Sequence, residues 1–557
     1  MRTSHSVSTV CFILLALAAT KSDAQQLTPV QLYEAKNRSL ELQQQGKPDS
    51  ALALLRRIAP LDSADANLWR RFGRLARQQR QWDEAARALQ HAYDMGAFNR
   101  GVTASEIAAV YAAAGQPTNA LNWLERAFGN RLQQPGRLAD DTTFIALRDS
   151  ARFIALYPRA SATTLSRDEK WRRDIDFFMR EAQRMHVHPE RPAHSREFID
   201  TIAAMKARVP TSTDMSIKLG LRRAVAMLRD GHSGMAPDSA MRMLPIDVYL
   251  FSDGVYVVNG VGEASKYVGS RVVALGKKNI ADVSSAASAY ITRDNDSDLR
   301  ARLPAALANT AILADIGAAN ADGTVDVTLE DKTGKRSVER MTGGALRRPL
   351  GLMSPTQAPK PFYLDRSRVY WTRELPEARA LYLNFNAVAQ MDSLPLPAFS
   401  RRLAEQLRNP SYSNLVVDVR LNGGGNTFLL PPLIQAIASF AASDTTRRVY
   451  VITSRHTYSA AQNFTGKLEW LLNPTFVGEP TGSAPNFTGE STGTVLPYSG
   501  IQMGISNRMH MNSDWEDKRV WIAPQIPVPL SSTEFFAGRD PALEAIIAVT
   551  KGTRPLM

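Results

Sequence analysis

A single cysteine, Cys11, is the only thiol in this chain of 557 residues, and it sits in the N-terminal segment. Disulfides and cysteine-held metals are thereby excluded from the rest of the chain, and cysteine usage carries no message about compartment. Long apolar runs are missing too. The stretch from Val10 to Ala19 falls short of the ~20 residues that a membrane-crossing helix requires, and no later stretch approaches that length. No Lys/Arg tract is interleaved with aromatics. The excess of 67 basic over 54 acidic residues, a net charge of +13, therefore reads as a solvated basic surface rather than a nucleic-acid footprint. What the N-terminus does hold is Arg2 ahead of that apolar run and Ser22-Asp23-Ala24 behind it. This small-x-small pattern is expected of a secretory signal peptide over residues 1–24, cut after Ala24, so the protein is expected to be exported, whether periplasmic or secreted.

The length predicts three or four domains of about 150 residues each. Residues 30–160 repeat themselves. Ala51, Ala85 and Ala120 recur at near-constant spacing, accompanied by Leu55, Leu89 and Leu124 and then by Ile58, Ala92 and Ala127. A period of about 34 residues with small side chains where helices cross resembles the tetratricopeptide repeat. The resemblance implies a TPR-like helical array open to a protein partner through a concave groove, or serving as a spacer. Residues 166–240 carry helical periodicity in WRRDIDFFMREAQRM and SIKLGLRRAVAMLRD. Residues 241–345 switch to short strand-like runs, LPIDVYLF, GVYVVNGV, SRVVALG and TVDVTLED, and so form a small β-rich module. Its GSRVVALGKKNIADV resembles the carboxylate-binding end of a PDZ domain. Across residues 365–550 longer strands alternate with helices, which predicts an α/β layer around a largely parallel sheet.

Chemistry-bearing residues gather where those strands end. The strand LVVDVRL runs into Gly423, Gly424 and Gly425. Glycines free backbone amides to face an anion, so the loop reads as an oxyanion hole, a phosphate loop without its Lys-Ser/Thr ending, or a plain tight turn. RRVYVITS runs into HTYSAAQNF, where Ser459 opens a helix and reads either as an N-cap or as a nucleophile. LRDGHSGM holds His232 in a loop. His186, His188 and His194 in MHVHPERPAH have no carboxylate pair beside them, and no metal or cofactor is expected.

DGHSG, LYLNFN, LVVDVRLNGGGN, HTYSAAQNF, FVGEPTGSAPN, WIAPQIPV and FFAGRDPALEA, in that order, resemble the S41 serine peptidases. The likeness is to their tricorn-like and retinoid-binding-protein-like branch, and it covers roughly residues 168–550. It implies a C-terminal core of crotonase/ClpP-like α/β fold and a peptide or protein substrate. Ser459 is then the acylating nucleophile, and the amides of Ala460 and of Gly424 or Gly425 make the oxyanion hole. Other members of the family use a lysine some two dozen residues after the serine, where this chain reads PTGSAPNFT. Lys467 would stand about 12 Å along the helix from Ser459, out of reach. The base implied is His232, in preference to His456. Ser233 matches a polarising hydroxyl. For the carboxylate that orients the imidazole, Asp517 is expected over Glu490 and Glu516, while Asp418 and Arg420 are read as a structural pair. Gln525 stands where the family often has aspartate. A peptidase-like protein without turnover, holding a peptide or an apolar small molecule in the same cleft, is the competing reading.

Overall fold

The computed structural model describes residues 27–133, 138, 140–157, 164–347, 352 and 360–552. The expected signal peptide and its cleavage after Ala24 lie outside the described residues. The chain divides into two units, residues 1–157 and 158–557.

In the first unit six helices follow one another: α1 (Pro29–Gln44), α2 (Pro48–Ile58), α3 (Ala66–Gln78), α4 (Trp82–Asp94), α5 (Arg100–Ala113) and α6 (Pro117–Gly129). They pack as consecutive pairs. The recurring columns explain why. Ala51, Ala85, Ala120, Leu55, Leu89, Leu124, Ile58, Ala92 and Ala127 are all fully buried, because each forms the inner stripe of the second helix of a pair. Gly73 on α3 lies so close to α4 that an added Cβ would meet Leu89 Cγ at 2.5 Å.

The second unit opens with α7 (Arg167–Met185), α8 (Arg196–Arg208) and α9 (Asp214–Ala226), followed by a two-residue strand, β1 (Gly234–Met235). The β-rich module is an antiparallel sheet in chain order: β2 (Ile246–Phe251), β3 (Gly254–Gly260), β4 (Arg271–Leu275), β5 (Val325–Glu330) and β6 (Arg336–Met341). Helix α10 (Asp296–Leu307) packs on β2. Strand β5 alternates buried and half-buried residues, as its period-two pattern predicts.

The remaining layer is a six-stranded sheet. Strand β7 (Tyr370–Leu375) pairs antiparallel with β8 (Ala380–Phe385). From β8 the sheet is parallel through β9 (Asn414–Asp418), β10 (Arg448–Thr453), β11 (Thr475–Gly478) and the short β14 (Ile526–Pro527). Crossover helices α11 (Leu396–Gln406), α12 (Pro431–Ala442) and α13 (Ala460–Leu472) link the parallel strands, as parallel pairing demands. Every residue of β8 and β9 is buried, the signature of strands covered on both faces. A long hairpin, β12 (Asn486–Val495) with β13 (Gln502–Met511), leaves this layer, and β1 adds to β13 through Gly234 opposite Gly504. That strand addition carries the segment around His232 across to the sheet.

The last helix, α14 (Pro541–Thr550), is tied down by charge. Buried Arg420 bonds Asp540 through both Nη atoms at 2.7 and 2.9 Å and Asp418 through Nε at 3.0 Å, with its guanidinium over the Tyr363 ring. Asp418 also accepts from Tyr382 at 2.6 Å. Asp418 and Arg420 thus brace the glycine loop, and the partner that completes the brace arrives 120 residues later. Gln525 keeps an acceptor in place on β14's approach, its Oε1 taking the Phe476 N–H at 2.7 Å.

Candidate active site

Neighbouring parallel strands deliver two turns to one place. Asp418 at the end of β9 is in register with Ile452 of β10, so the glycine loop and the turn into α13 emerge side by side, at the carboxyl ends where open α/β sheets hold their ligands. Gly424 has φ +104° and fits against this turn: a Cβ there would lie 2.7 Å from Ser459 Cβ and 2.8 Å from Ala460 N. Gly425, at φ +143°, touches the Val388 carbonyl, 2.1 Å from where its Cβ would be. Only glycine satisfies both the dihedrals and the spacing.

Ser459 holds the N-cap position of α13, yet its side chain makes no capping hydrogen bond. Its backbone is at φ 56°, ψ −122°, a region costly for any residue with a Cβ. A strained strand-to-helix turn of this kind lifts a side chain clear of the sheet. Its hydroxyl lies 3.0 Å from Nε2 of His232, 227 residues away in the chain.

His232 is held from several sides. The carboxylate of Asp230 accepts the N–H groups of His232 at 2.9 Å and Ser233 at 2.6 Å together with the Ser506 hydroxyl at 2.5 Å, and its other oxygen bonds His186 Nε2 at 2.8 Å. The imidazole stacks between Tyr458, 4.7 Å away, and Phe487, 5.5 Å away. Its Nδ1 lies 2.8 Å from the Tyr458 hydroxyl. Burial lowers the His232 pKa to about 4, against the opposite pull of Asp230, so the ring is neutral at physiological pH.

Behind Tyr458 are two carboxylates from the start of α10. A Cβ on Gly231 would come within 2.2 Å of the Tyr458 hydroxyl and 2.6 Å of Asp298 Oδ2. Asp298 takes the Arg302 Nε at 2.6 Å, and Arg302 lies over the Tyr458 ring at 5.0 Å. Asp294 accepts Gly231 N–H through Oδ1 at 2.6 Å, while its buried Oδ2 has no partner among the described residues. Burial, with the Asp298 charge beside it, pushes Asp294 up to about 8.

The expected residues do not all converge. Asp517 is not on His232: its carboxylate takes Arg519, which also bonds Glu469, and a local ion pair with a neighbour two residues on is the shorter route to neutralising it. Glu490 is at the exposed side of the hairpin, 3.6 Å from His510, and Glu516 is exposed. Ser233 is buried, its hydroxyl committed to Ser506. Gly424 N–H donates to Asn422 Oδ1 at 3.0 Å, so of the two glycines only Gly425 has an N–H without an acceptor among the described residues. The Ala460 N–H is likewise open. Lys467 is exposed, and His456 faces Tyr249, 6.3 Å between rings. Tyr458, Asp294 and Asp298 were not anticipated. Tyr458 is inside HTYSAAQNF, and its position next to the serine was its only signal; the two aspartates in RDNDSDLR belong to no motif, Asp298 being in the first turn of α10 and Asp294 ahead of its N-cap.

No protein-family model matches this chain, and no curated protein matches it. Among solved structures, mature CPAF complexed with lactacystin aligns at a TM-score of 0.51 and 13% identity, over 70% of this chain and 99% of that one. The tricorn protease aligns at 0.34 and 16%, over 70% and 37%. A putative S41 protease from Bacteroides fragilis NCTC 9343 aligns at 0.30 and 13%, over 68% and 97%. The chain has the fold of the S41 peptidases.

Proposed function

We propose that this protein is an exported serine peptidase that cleaves peptide bonds through an acyl-enzyme on Ser459, with His232 as general base. The observation that carries the reading is the 3.0 Å contact between His232 Nε2 and Ser459 Oγ, made at a backbone turn whose strain has no structural use as a cap. For Nε2 to accept the serine proton, the ring proton must sit on Nδ1 and donate to the Tyr458 oxygen, 2.8 Å away. Tyr458 then orients the imidazole in the manner usually left to a carboxylate. Asp298, paired with Arg302, stands beside the Tyr458 hydroxyl on the Gly231 side, so a carboxylate lies two groups behind the imidazolium as it forms, while Asp294, pushed up to about 8, is protonated at neutral pH.

The steps balance without another reagent. Ser459 Oγ bonds to the substrate carbonyl carbon as its proton passes to Nε2. The carbonyl oxygen takes the negative charge and is met by the Ala460 N–H at the positive end of α13 and by Gly425 N–H. Collapse of the intermediate breaks the C–N bond, and Nε2 returns the proton to the departing amine. Water repeats the sequence on the ester and frees Ser459. The repeat unit is assigned to holding a protein partner or presenting substrate.

Labelling by a fluorophosphonate tests the reading. Wild type should label and Ser459→Ala should not. Equal labelling of the two, or none in either while peptides still bind, would replace the peptidase by a binding protein of the same fold. Loss of Ser459 should lower turnover by about 10⁶-fold and loss of His232 nearly as much.

A further inference from the structure

Four aromatic rings stand in one column through His232. The imidazole stacks on Tyr458 at 4.7 Å and on Phe487 at 5.5 Å, and Phe487 stacks in turn on His510 at 4.8 Å, with 14° to 22° between successive planes. Phe487 is buried and faces His510 as its cross-strand partner in the β12–β13 hairpin. Gly489 leaves the pair its room, since a Cβ there would lie 3.1 Å from a ring carbon of each.

The two rings that flank His232 differ in what covers their far faces. Arg302 lies over Tyr458 at 5.0 Å, so a permanent cation already draws on the electrons of that ring. Beyond Phe487 stands His510, which burial holds below the usual histidine range against the pull of Glu490, 3.6 Å away. His510 is therefore neutral at physiological pH, and among the described residues Phe487 carries no cation on its other side.

Among those residues no carboxylate bonds the imidazole either. Asp230 accepts the backbone N–H of His232, and the ring nitrogens face the hydroxyls of Tyr458 and Ser459. Of the charges around the ring, Asp230 favours the imidazolium and Arg302 opposes it, as His510 would once protonated. A charge that forms on the ring as it takes the serine proton has to be met by something closer, and the face of an aromatic ring within about 6 Å attracts a cation.

We propose that Phe487 is a positioning residue whose π-face holds the imidazolium form of His232 and hardly the neutral form. Such a preference acts as the proton moves rather than before it, which is the condition for an interaction to speed a step. The role of Phe487 in turnover rests on the peptidase reading, but its effect on the titration of the ring does not, so the two are tested apart.

The attraction depends on the electron density of the ring rather than on its size. Replacing Phe487 by mono-, tri- and pentafluorophenylalanine therefore weakens it step by step while the ring keeps its place. In the full chain bearing Ser459→Ala, the His232 titration followed by NMR with isotope-labelled histidine should move to lower pH along the series, by at least about half a pH unit at the last step. In the chain with Ser459 intact, the rate of fluorophosphonate labelling at pH 7 should fall along the same series, by about 2- to 30-fold in all. Phe487→Leu, which fills the space without a π-face, should slow labelling at least as far. A titration that stays put, or that rises toward the ordinary histidine value as a loosened and hydrated site would make it, overturns this role, and so does a Phe487→Leu chain that labels at the full rate. Absence of labelling in the wild-type chain, with the titration still falling along the series, would instead overturn the peptidase reading and leave the hold of Phe487 on the imidazolium standing.

Discussion

Tyr458 and His232 meet twice: the phenol oxygen lies 2.8 Å from Nδ1, and the two rings stack at 4.7 Å with 22° between their planes. One side chain thus holds both the Nδ1 edge and the tilt of the imidazole. Tyr458→Phe keeps the stack and deletes the hydrogen bond, so it should lower kcat by about 10- to 100-fold with little change in KM, a smaller loss than removing a catalytic carboxylate. Asp517→Asn, at a carboxylate that bonds Arg519 rather than His232, should leave kcat within about threefold. A Tyr458→Phe enzyme at full rate, or an Asp517→Asn enzyme slowed about 10⁴-fold, would return the orienting role to Asp517.

Gly231 offers a second route to the same contact. Its missing Cβ is the space into which the Tyr458 hydroxyl and Asp298 fit. Gly231→Ala should therefore displace the ends of two flexible side chains rather than unfold the chain. Steady-state kinetics beside a thermal melt should show activity falling by an order of magnitude or more while stability changes by about 1–3 kcal/mol. Retained activity would mean that Tyr458 can move without consequence.

A histidine serving as the proposed base must be neutral, and burial holds His232 near pKa 4. Lowering the pKa keeps the ring deprotonated further into acid, so the acid limb of kcat/KM should fall below about pH 5 rather than near 6.5, the ordinary histidine value. A profile of kcat/KM between pH 3.5 and 8 checks this. A limb at 6.5 or above would indicate that the working site is solvated.

At φ 56° Ser459 gives up stability for its position. Replacing it with glycine should relieve strain of about 1–3 kcal/mol, less the roughly 0.5–1 kcal/mol of chain entropy that glycine adds to the unfolded state. Ser459→Gly should accordingly be inactive and melt higher than Ser459→Ala, which retains the Cβ. The reverse order would show that the turn is not strained.

Arg420 and Asp540 form the buried pair on which the glycine loop rests. Asp540→Ala leaves a buried guanidinium with one carboxylate fewer and should cost about 3–5 kcal/mol in urea unfolding. A loss under 1 kcal/mol would mean that water replaces the carboxylate.

Parts of this molecule were legible before any coordinates, for physical reasons that differ from residue to residue. The alanine and leucine columns of the repeats predicted burial because a recurring small residue has one use, the close crossing of helices. The order of their motifs grouped Ser459 with His232, and the fold sets the two side chains 3.0 Å apart. Asp517 misled because a carboxylate in a familiar context says nothing of its nearest cation, and Arg519 is only two residues away. Tyr458 was invisible for the opposite reason: a phenol beside a serine reads as part of the strand end, and only the positive φ of Ser459 turns the two side chains toward the same imidazole. The β12–β13 hairpin, which brings Phe487 and Ser506 to His232, also went unread. Its pairing partner β1 is two residues long, too short for periodicity to register.

The brace between Arg420 and Asp540 fixes a moment as well as a place. The proposed base is contributed by residue 232, the proposed nucleophile by residue 459, and the carboxylate that locks the glycine loop by residue 540. A polypeptide emerging from its N-terminus carries every reacting atom for 81 residues of further synthesis before it carries the clamp. The order of the chain is thus itself a delay: the proposed site has its reacting groups before its glycine loop has this support.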